Sequence, residues 1–242
     1  MHEDWLSRTN LLLGQEKLDI LKTKNVLVVG LGGVGSYAAE TIARAGVGKM
    51  TIIDGDVVNL TNLNRQLPAL RANLGLKKAK IMESRLLDIN PDLQLTVVDE
   101  FIRDGFMKEI LQPDYNYVLD AIDTLSPKVF LIQHTLERGH KLVSSMGAGG
   151  KIDPTQVKIV PLTKSFNCKF AFIVRKRLSK LGSKKDFPVV FSPEQVDKTK
   201  VIEVEGELNK KSIVGTISYM PAIFGMFCAS VVLRDLTGDF TY

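Results

Sequence analysis

Asn25-Val26-Leu27-Val28-Val29-Gly30-Leu31-Gly32-Gly33-Val34-Gly35-Ser36 is the stretch that decides the fold. Its short β-branched run stops in glycines, as a buried strand does when it feeds a tight turn. Small, helix-permissive residues then run over 34–45 and are stopped by Gly46 and Gly48. A strand, a glycine turn and a helix in that order are the context a nucleotide-binding loop requires. Gly30 permits the turn, Gly32 lets the backbone approach a phosphate, and Gly35 allows close helix–strand packing; Gly33 belongs to the same run. The start of the helix offers free N–H groups and a partial positive charge to an anion, and Ser36 can add a hydroxyl donor.

Working outward, a second strand over 50–53 ends at Asp54, a carboxylate placed to accept from ribose hydroxyls. Helices are expected over 77–90, 104–111 and 127–138, and strands over 95–98, 117–119 and 141–145. That alternation predicts a Rossmann-like α/β fold, with a mostly parallel sheet and helices on both faces. Upstream, Leu11, Leu12, Leu18 and Leu21 recur among charges, so 5–24 reads as one helix. The pattern changes after residue 150. Strands are expected over 157–160 and 201–204, and a basic helix over 171–181. The charged, proline-containing stretch 180–209 reads as a flexible loop. The apolar run 217–233 falls short of the roughly 20 residues a membrane span needs, so it reads as a buried or dimer-facing helix and a membrane anchor is the minority reading. This divides the chain into an adenylation domain over 1–150 and a C-terminal part over 151–242 that completes the sheet and holds a basic substrate-binding region.

With 242 residues, 45 % hydrophobic and 24 % charged, the chain has the composition of a soluble globular protein able to bury its own core. Its two cysteines, Cys168 and Cys228, exclude a disulfide framework and a four-cysteine zinc site within one chain. This cysteine usage and the polar, acidic N-terminus favour a cytoplasmic setting. Cys228 lies in an apolar run, as a buried inert thiol does; Cys168 is flanked by Lys169, which leaves a reactive thiol open. The net charge of +5 is mild and suits an anionic partner such as ATP or RNA. The glycine loop by itself is compatible with NAD, FAD or ATP.

Three downstream segments favour ATP. In Asp54-Gly55-Asp56-Val57-Val58-Asn59-Leu60-Thr61-Asn62-Leu63-Asn64-Arg65-Gln66, Asn62 can hydrogen-bond phosphate or ribose oxygens and Arg65 can make fork-like contacts to them. Gly75-Leu76-Lys77-Lys78-Ala79-Lys80 puts a lysine at a helix start, where it can act as a point charge on a phosphate. Asp120-Ala121-Ile122-Asp123-Thr124 lies just past a strand, at the sheet edge where ligands of such folds sit, and Asp123 there can hold Mg2+. Taken singly, these segments also fit a polar loop, a solvated helix face and a helix cap.

In combination, the glycine loop, Asp-x-Asp, Asn-x-Asn-Arg-Gln, Gly-x-x-Lys-Ala and Asp-x-x-Asp resemble the ubiquitin-activating-enzyme-like superfamily, which includes the ThiF and MoeB adenylyltransferases. The resemblance implies that Arg65 and Lys78 act on the triphosphate, Asp54 on the ribose and Asp123 on the metal. Asp56 and Gln66 fall inside the same nucleotide-binding motif. Arg8 matches an N-terminal arginine that reaches the ATP of a partner subunit, which implies a homodimer. A finer resemblance, carried by Asn64-Arg65-Gln66-Leu67-Pro68-Ala69-Leu70 and by Gly147-Ala148-Gly149-Gly150-Lys151-Ile152-Asp153-Pro154-Thr155, is to the tRNA threonylcarbamoyladenosine dehydratases. The chain departs from that pattern at Cys168-Lys169, where an Asp-Pro pair is expected.

The family's activity implies ATP and Mg2+ as cofactors, tRNA as substrate and no DNA partner. A sulfur-relay protein and a monovalent cation near the 147–150 turn are further associations left open. Arg175, Lys176, Arg177, Lys180, Lys184 and Lys185 lie within eleven residues, and with an RNA substrate they are expected to meet phosphates, Arg175, Arg177 and Lys180 foremost. Two rival readings keep the glycine loop. A ThiF/MoeB-type adenylyltransferase would activate the C-terminal Gly-Gly of a sulfur-carrier protein, and a NAD-dependent oxidoreductase would leave Asn62, Arg65 and Lys78 unexplained.

Overall fold

The computed structural model describes residues 4–203 and 212–239. Two helices come first, α1 (Ser7–Leu13) and α2 (Gln15–Thr23). The single helix expected over 5–24 breaks at Gly14, whose φ of 83° is one that side-chain-bearing residues rarely adopt. The break sends the two halves different ways. Leu18 and Leu21 of α2 are fully buried, whereas Leu11 and Leu12 of α1 are 89 % and 83 % exposed.

The alternating region follows as β1 (Asn25–Val29), α3 (Gly35–Arg44), β2 (Lys49–Ile53), α4 (Lys78–Ile89), β3 (Gln94–Val98), α5 (Asp104–Ile110), β4 (Tyr117–Asp120), α6 (Leu125–Glu137) and β5 (Leu142–Ser145). Each lies within two residues of the expected bounds, the margin by which helix and strand ends ordinarily fray. Beyond it come β6 (Lys158–Pro161), α7 (Lys169–Lys180), β7 (Pro188–Phe191), β8 (Val201–Glu203), β9 (Ser212–Val214) and α8 (Tyr219–Leu236).

Seven strands form one sheet in the order β3-β2-β1-β4-β5-β7-β6, parallel except for β6 at its edge. Val26 pairs with Met50 on one side and Tyr117 on the other, so β1 and β4 are central and buried on both faces. Burying a side chain such as Val28 completely is worth about 1.5–3 kcal/mol, and the β-branched run of β1 uses that term along its length. Residues of α2, α3, α4 and α8 fill one face of the sheet, and residues of α5, α6 and α7 fill the other. The chain builds outward from β1 through β2 to β3, then crosses back to place β4 on the other side of β1. The β1/β4 boundary is therefore the switch point, where open α/β sheets leave a crevice at their carboxyl edge.

Inside the stretch 180–209, expected as a loop, Pro188–Phe191 form a fully buried strand between β5 and β6. The proline read as a breaker, but it stands at the first residue of the strand, where its missing N–H is tolerated. The part of that loop over 204–209, and Val204 of the strand expected over 201–204, lie outside the described residues. The run expected as a helix over 217–233 is α8, which lies on α3. At Gly225 a Cβ would come 2.3 Å from the Val34 carbonyl oxygen, so the two helices meet almost backbone to backbone. Phe224, Cys228, Ala229 and Val232 are fully buried there, which gives α8 the role of a core helix.

Candidate functional site

The glycine loop sits at the switch point, and Gly30, Gly33 and Gly35 leave no room for side chains. A Cβ on Gly35 would stand 1.7 Å from the Gly30 carbonyl oxygen, and one on Gly30 (φ 90°) 2.9 Å from that of Ala121. Gly33 is pressed from outside by Pro221 of α8, 2.8 Å from where its Cβ would be. That proline closes the loop from above, and its position in an apolar run gave no sign of it. Ser36, expected to offer its hydroxyl to an anion, is fully buried and donates to Gly32 O at 2.6 Å, so it braces the loop instead.

Asp54 stands at the end of β2 and ties the loop to the segment beyond it. Its Oδ2 accepts from Leu31 N at 2.6 Å and its Oδ1 from Asp56 N at 2.8 Å. Burial raises its pKa above the usual carboxylate range, against the lowering charge of Lys78 and these two backbone donors. Asp56 is half exposed and receives Lys78 Nζ at 3.0 Å, while the lysine itself is only 4 % exposed. The backbone delivers that lysine. Val57 and Lys77 form an antiparallel bridge, and Lys78 N donates to Asp56 O, so the segment folds back on itself. Lys77 takes a structural part, donating to Gly55 O and Asp99 O.

Asn62, expected on phosphate or ribose, is mostly buried, and its Oδ1 accepts from Asn59 N, which holds the turn that carries Arg65. Arg65 is half-buried, with Nη1 donating to Thr61 O and Asn64 Oδ1. Burial pushes its pKa down and the Asp123 charge pulls it back, which puts arginine and aspartate within electrostatic reach. Gln66 lies beside Gly32, and its Oε1 is buried with no hydrogen-bond partner among the described residues.

Asp123 is exposed just beyond β4, in the turn before α6. Beneath it Asp120 and Lys128 form a fully buried ion pair at 2.7 Å, joined by Ser144 Oγ at 2.6 Å. Among the described residues no group of three metal-ligating side chains forms. Arg8 is exposed on α1. The neighbouring Leu6 packs against Gly46 at the far end of α3 from Gly35, about 15 Å away for a ten-residue helix.

Sequence reasoning missed the lock on the 147–150 turn. Lys151 is buried and donates to Glu194 O, and the Glu194 carboxylate accepts from Ile152 N at 3.1 Å and Asp153 N at 3.2 Å. Burial lowers the Lys151 pKa. It also missed a cleft of about 340 Å3 between Gly55, Lys77, Asp99, Glu100, Phe101 and Arg103, next to Asp54. A second cleft of about 400 Å3 lies at the opposite, amino edge of the sheet, around Tyr117, Leu142 and Pro188, away from these groups. Cys168 is buried at the start of α7, and Cys228 is buried in the core, where burial raises its pKa. In the basic helix, Arg175 Nη1 is committed to Leu162 O, Ser165 O and Ser165 Oγ, and Arg177 Nη1 to Ser126 Oγ.

The ThiF family profile matches residues 6–241. The tRNA threonylcarbamoyladenosine dehydratase of Bacillus subtilis (strain 168) is 37 % identical over 240 residues, covering 96 % of this chain and 94 % of the relative. That of Escherichia coli (strain K12) is 44 % identical over 179 residues, covering 74 % and 65 %. The crystal structure of the E. coli tRNA N6-threonylcarbamoyladenosine dehydratase in complex with ATP superposes with a TM-score of 0.87 at 36 % identity, covering 96 % of this chain and 93 % of that one.

Proposed function

The chain belongs to the ThiF family, and we propose that it is an ATP-dependent tRNA threonylcarbamoyladenosine dehydratase. The observation that carries this reading is the convergence of the glycine loop, Lys78, Arg65 and Asp123 on one sheet edge, in a chain similar over nearly its whole length to dehydratases. The substrate carboxylate attacks the α-phosphorus of ATP and pyrophosphate leaves. The neighbouring group of the substrate then closes on the activated carbon, and AMP departs with the carboxylate oxygen, so the nucleoside loses one water.

The residues supply position and charge. The backbone of the glycine loop, open at Gly32, receives phosphate. Lys78, held in place by Asp56, and Arg65 offset the negative charge that grows on the phosphates. Asp54 accepts from the ribose, and the cleft beside Gly55 is the place for the base. Mg2+ fits Asp123 together with phosphate oxygens and, when bound, polarises the phosphoryl group. Because the nucleophile is already on the substrate, holding the carboxylate against the α-phosphorus supplies much of the remaining rate. A second copy of the chain accounts for the exposure of Leu11 and Leu12 and brings the partner's Arg8 to the nucleotide. The exposed lysines of α7 meet the tRNA.

The test is incubation with ATP, Mg2+ and tRNA bearing threonylcarbamoyladenosine, followed by digestion and mass measurement of the nucleosides. Loss of one water mass is the expected result. Pyrophosphate exchange that requires a carrier protein ending in Gly-Gly, with the nucleoside mass unchanged, would overturn it.

A further inference from the structure

Residues 164–185 contain eight lysines and arginines and no carboxylate. A run of cations alone is ordinarily a solvated face, but two phenyl rings in this one stand in water: Phe166 is 49 % exposed and Phe172 54 %. Each ring is paired with a cation. Lys158 Nζ lies 5.6 Å from the Phe166 centroid, and the Arg175 guanidinium carbon 5.9 Å from that of Phe172. Further contacts surround the rings. Phe166 packs edge-on against Phe191 at 5.6 Å, and Arg175 joins the two by bonding Ser165, next to Phe166, while covering Phe172 one helical turn back.

The helix that carries Phe172 is tied to the element beside Asp123. Arg177 Nη1 donates to Ser126 Oγ at 3.0 Å, three residues beyond Asp123, so α7 is tied to the start of α6. Half-exposed rings among cations are the elements of a single-strand nucleic-acid platform, on which bases stack on π-faces while lysines follow the phosphates. Bases of an unpaired loop can be splayed onto such rings, whereas those of a duplex cannot.

We propose that Phe166 and Phe172 are stacking platforms for unpaired bases that flank the modified adenosine, with Lys164, Lys169 and Lys176 on the adjoining phosphates. This rests on the RNA-modifying reading above. It assigns base contact to two residues that play no part in the adenylation chemistry.

The experiment measures binding of a labelled anticodon stem-loop to the full chain across a salt series. Phe166→Leu and Phe172→Leu keep the apolar volume and remove the π-face. Each is expected to weaken binding by about 5- to 150-fold, the range of one lost base stack, with an unchanged salt slope and unchanged ATP affinity. Phe→Trp at either position is expected to restore binding. Replacing Lys164, Lys169 and Lys176 together with Gln is expected to flatten the salt slope by about 2, from roughly 0.7 per phosphate on a single strand. Wild-type binding that both Phe→Leu variants retain in full overturns this inference alone, and so does a loss of self-association in place of RNA affinity. Dehydration of the nucleoside by a chain whose Phe→Leu variants show unaltered KM for tRNA overturns it too. A wild-type chain with no affinity for the hairpin and no action on tRNA overturns the reading beneath it.

Discussion

Lys128 Nζ lies 2.7 Å from Asp120 Oδ2, and neither side chain is exposed to solvent. Asp120 ends β4 and Lys128 stands in the first turns of α6, so the pair fastens the helix to the strand across the turn that presents Asp123. Further hydrogen bonds hold both members. Ser144 Oγ donates to the same carboxylate oxygen, Ile122 N donates to the other, and Lys128 also donates to Ile122 O. The backbone on the amino side of Asp123 is thus held by a buried charge pair, at the point where Ala121 also closes on Gly30.

Removing one member leaves the other charged and buried, at a cost of about 3–5 kcal/mol. Lys128→Met is therefore expected to lower stability by that amount in denaturant unfolding. The double variant Lys128→Met/Asp120→Asn, which has no buried charge, is expected to recover a large part of it. Equal losses in the single and double variants would show that packing, and not charge compensation, sets the cost.

Gly35→Ala and Gly48→Ala separate stability from nucleotide binding. In both, the new Cβ would stand 1.7 Å from a carbonyl oxygen, that of Gly30 in one and of Lys22 in the other. Both are expected to destabilise the chain, since backbone must shift in each. Only Gly35→Ala deforms the glycine loop. At a temperature where both variants remain folded, calorimetry should find ATP binding lost in Gly35→Ala and retained in Gly48→Ala. Retention in both would remove the glycine loop from the nucleotide site.

Lys78→Met is expected to cut the rate of pyrophosphate release by about 100-fold or more, the usual effect of deleting one group aimed at developing charge. Its partner Asp56 is half exposed, and water takes over its solvation. Met keeps the buried stem packed, so the stability change is expected to stay below the roughly 3–5 kcal/mol of a buried pair that is broken. A fall in melting temperature that accounts for the whole rate loss would make the lysine structural.

Asp123→Ala is expected to abolish adenylation and to leave the unfolding curve in place, because exposed positions ordinarily change stability by no more than about 0.5 kcal/mol. Pyrophosphate release should lose its dependence on Mg2+ concentration together with its rate. Retained activity with an unaltered Mg2+ profile would exclude the aspartate from the metal.

The sequence made β1, the glycine loop and the strand–helix alternation legible because each is a local signal, a β-branched run or a glycine where no Cβ fits. It concealed whatever depends on distant contacts. Pro221 lies 188 residues from Gly33 and closes on it only in three dimensions. β7 was hidden by a proline that is harmless at its particular position. Ser36, Asn62 and Arg175 have side chains suited to anions, and the structure gives their donors or acceptors to the backbone. Residue type and spacing name the candidates; which hydrogen bonds are already taken decides among them.

Asp54 gives the site a pH dependence whose sign follows from burial. Its pKa is raised in the folded chain, so the neutral form is favoured on folding. The stabilisation is fully present below the ordinary carboxylate pKa and is lost as pH rises through the raised value, where an ionised carboxylate is held partly out of water. A ribose hydroxyl donating to Asp54 favours the ionised form. ATP should therefore bind more tightly as pH rises through that window, and binding just below it should release a proton. Calorimetry in buffers of different ionisation enthalpy measures the proton directly, and Asp54→Asn should abolish that share while leaving the share from the phosphates. The Lys78 charge works against the shift, so Lys78→Met should move the window upward in pH. If Asp54→Asn leaves the proton count unaltered, the carboxylate has no contact with the nucleotide.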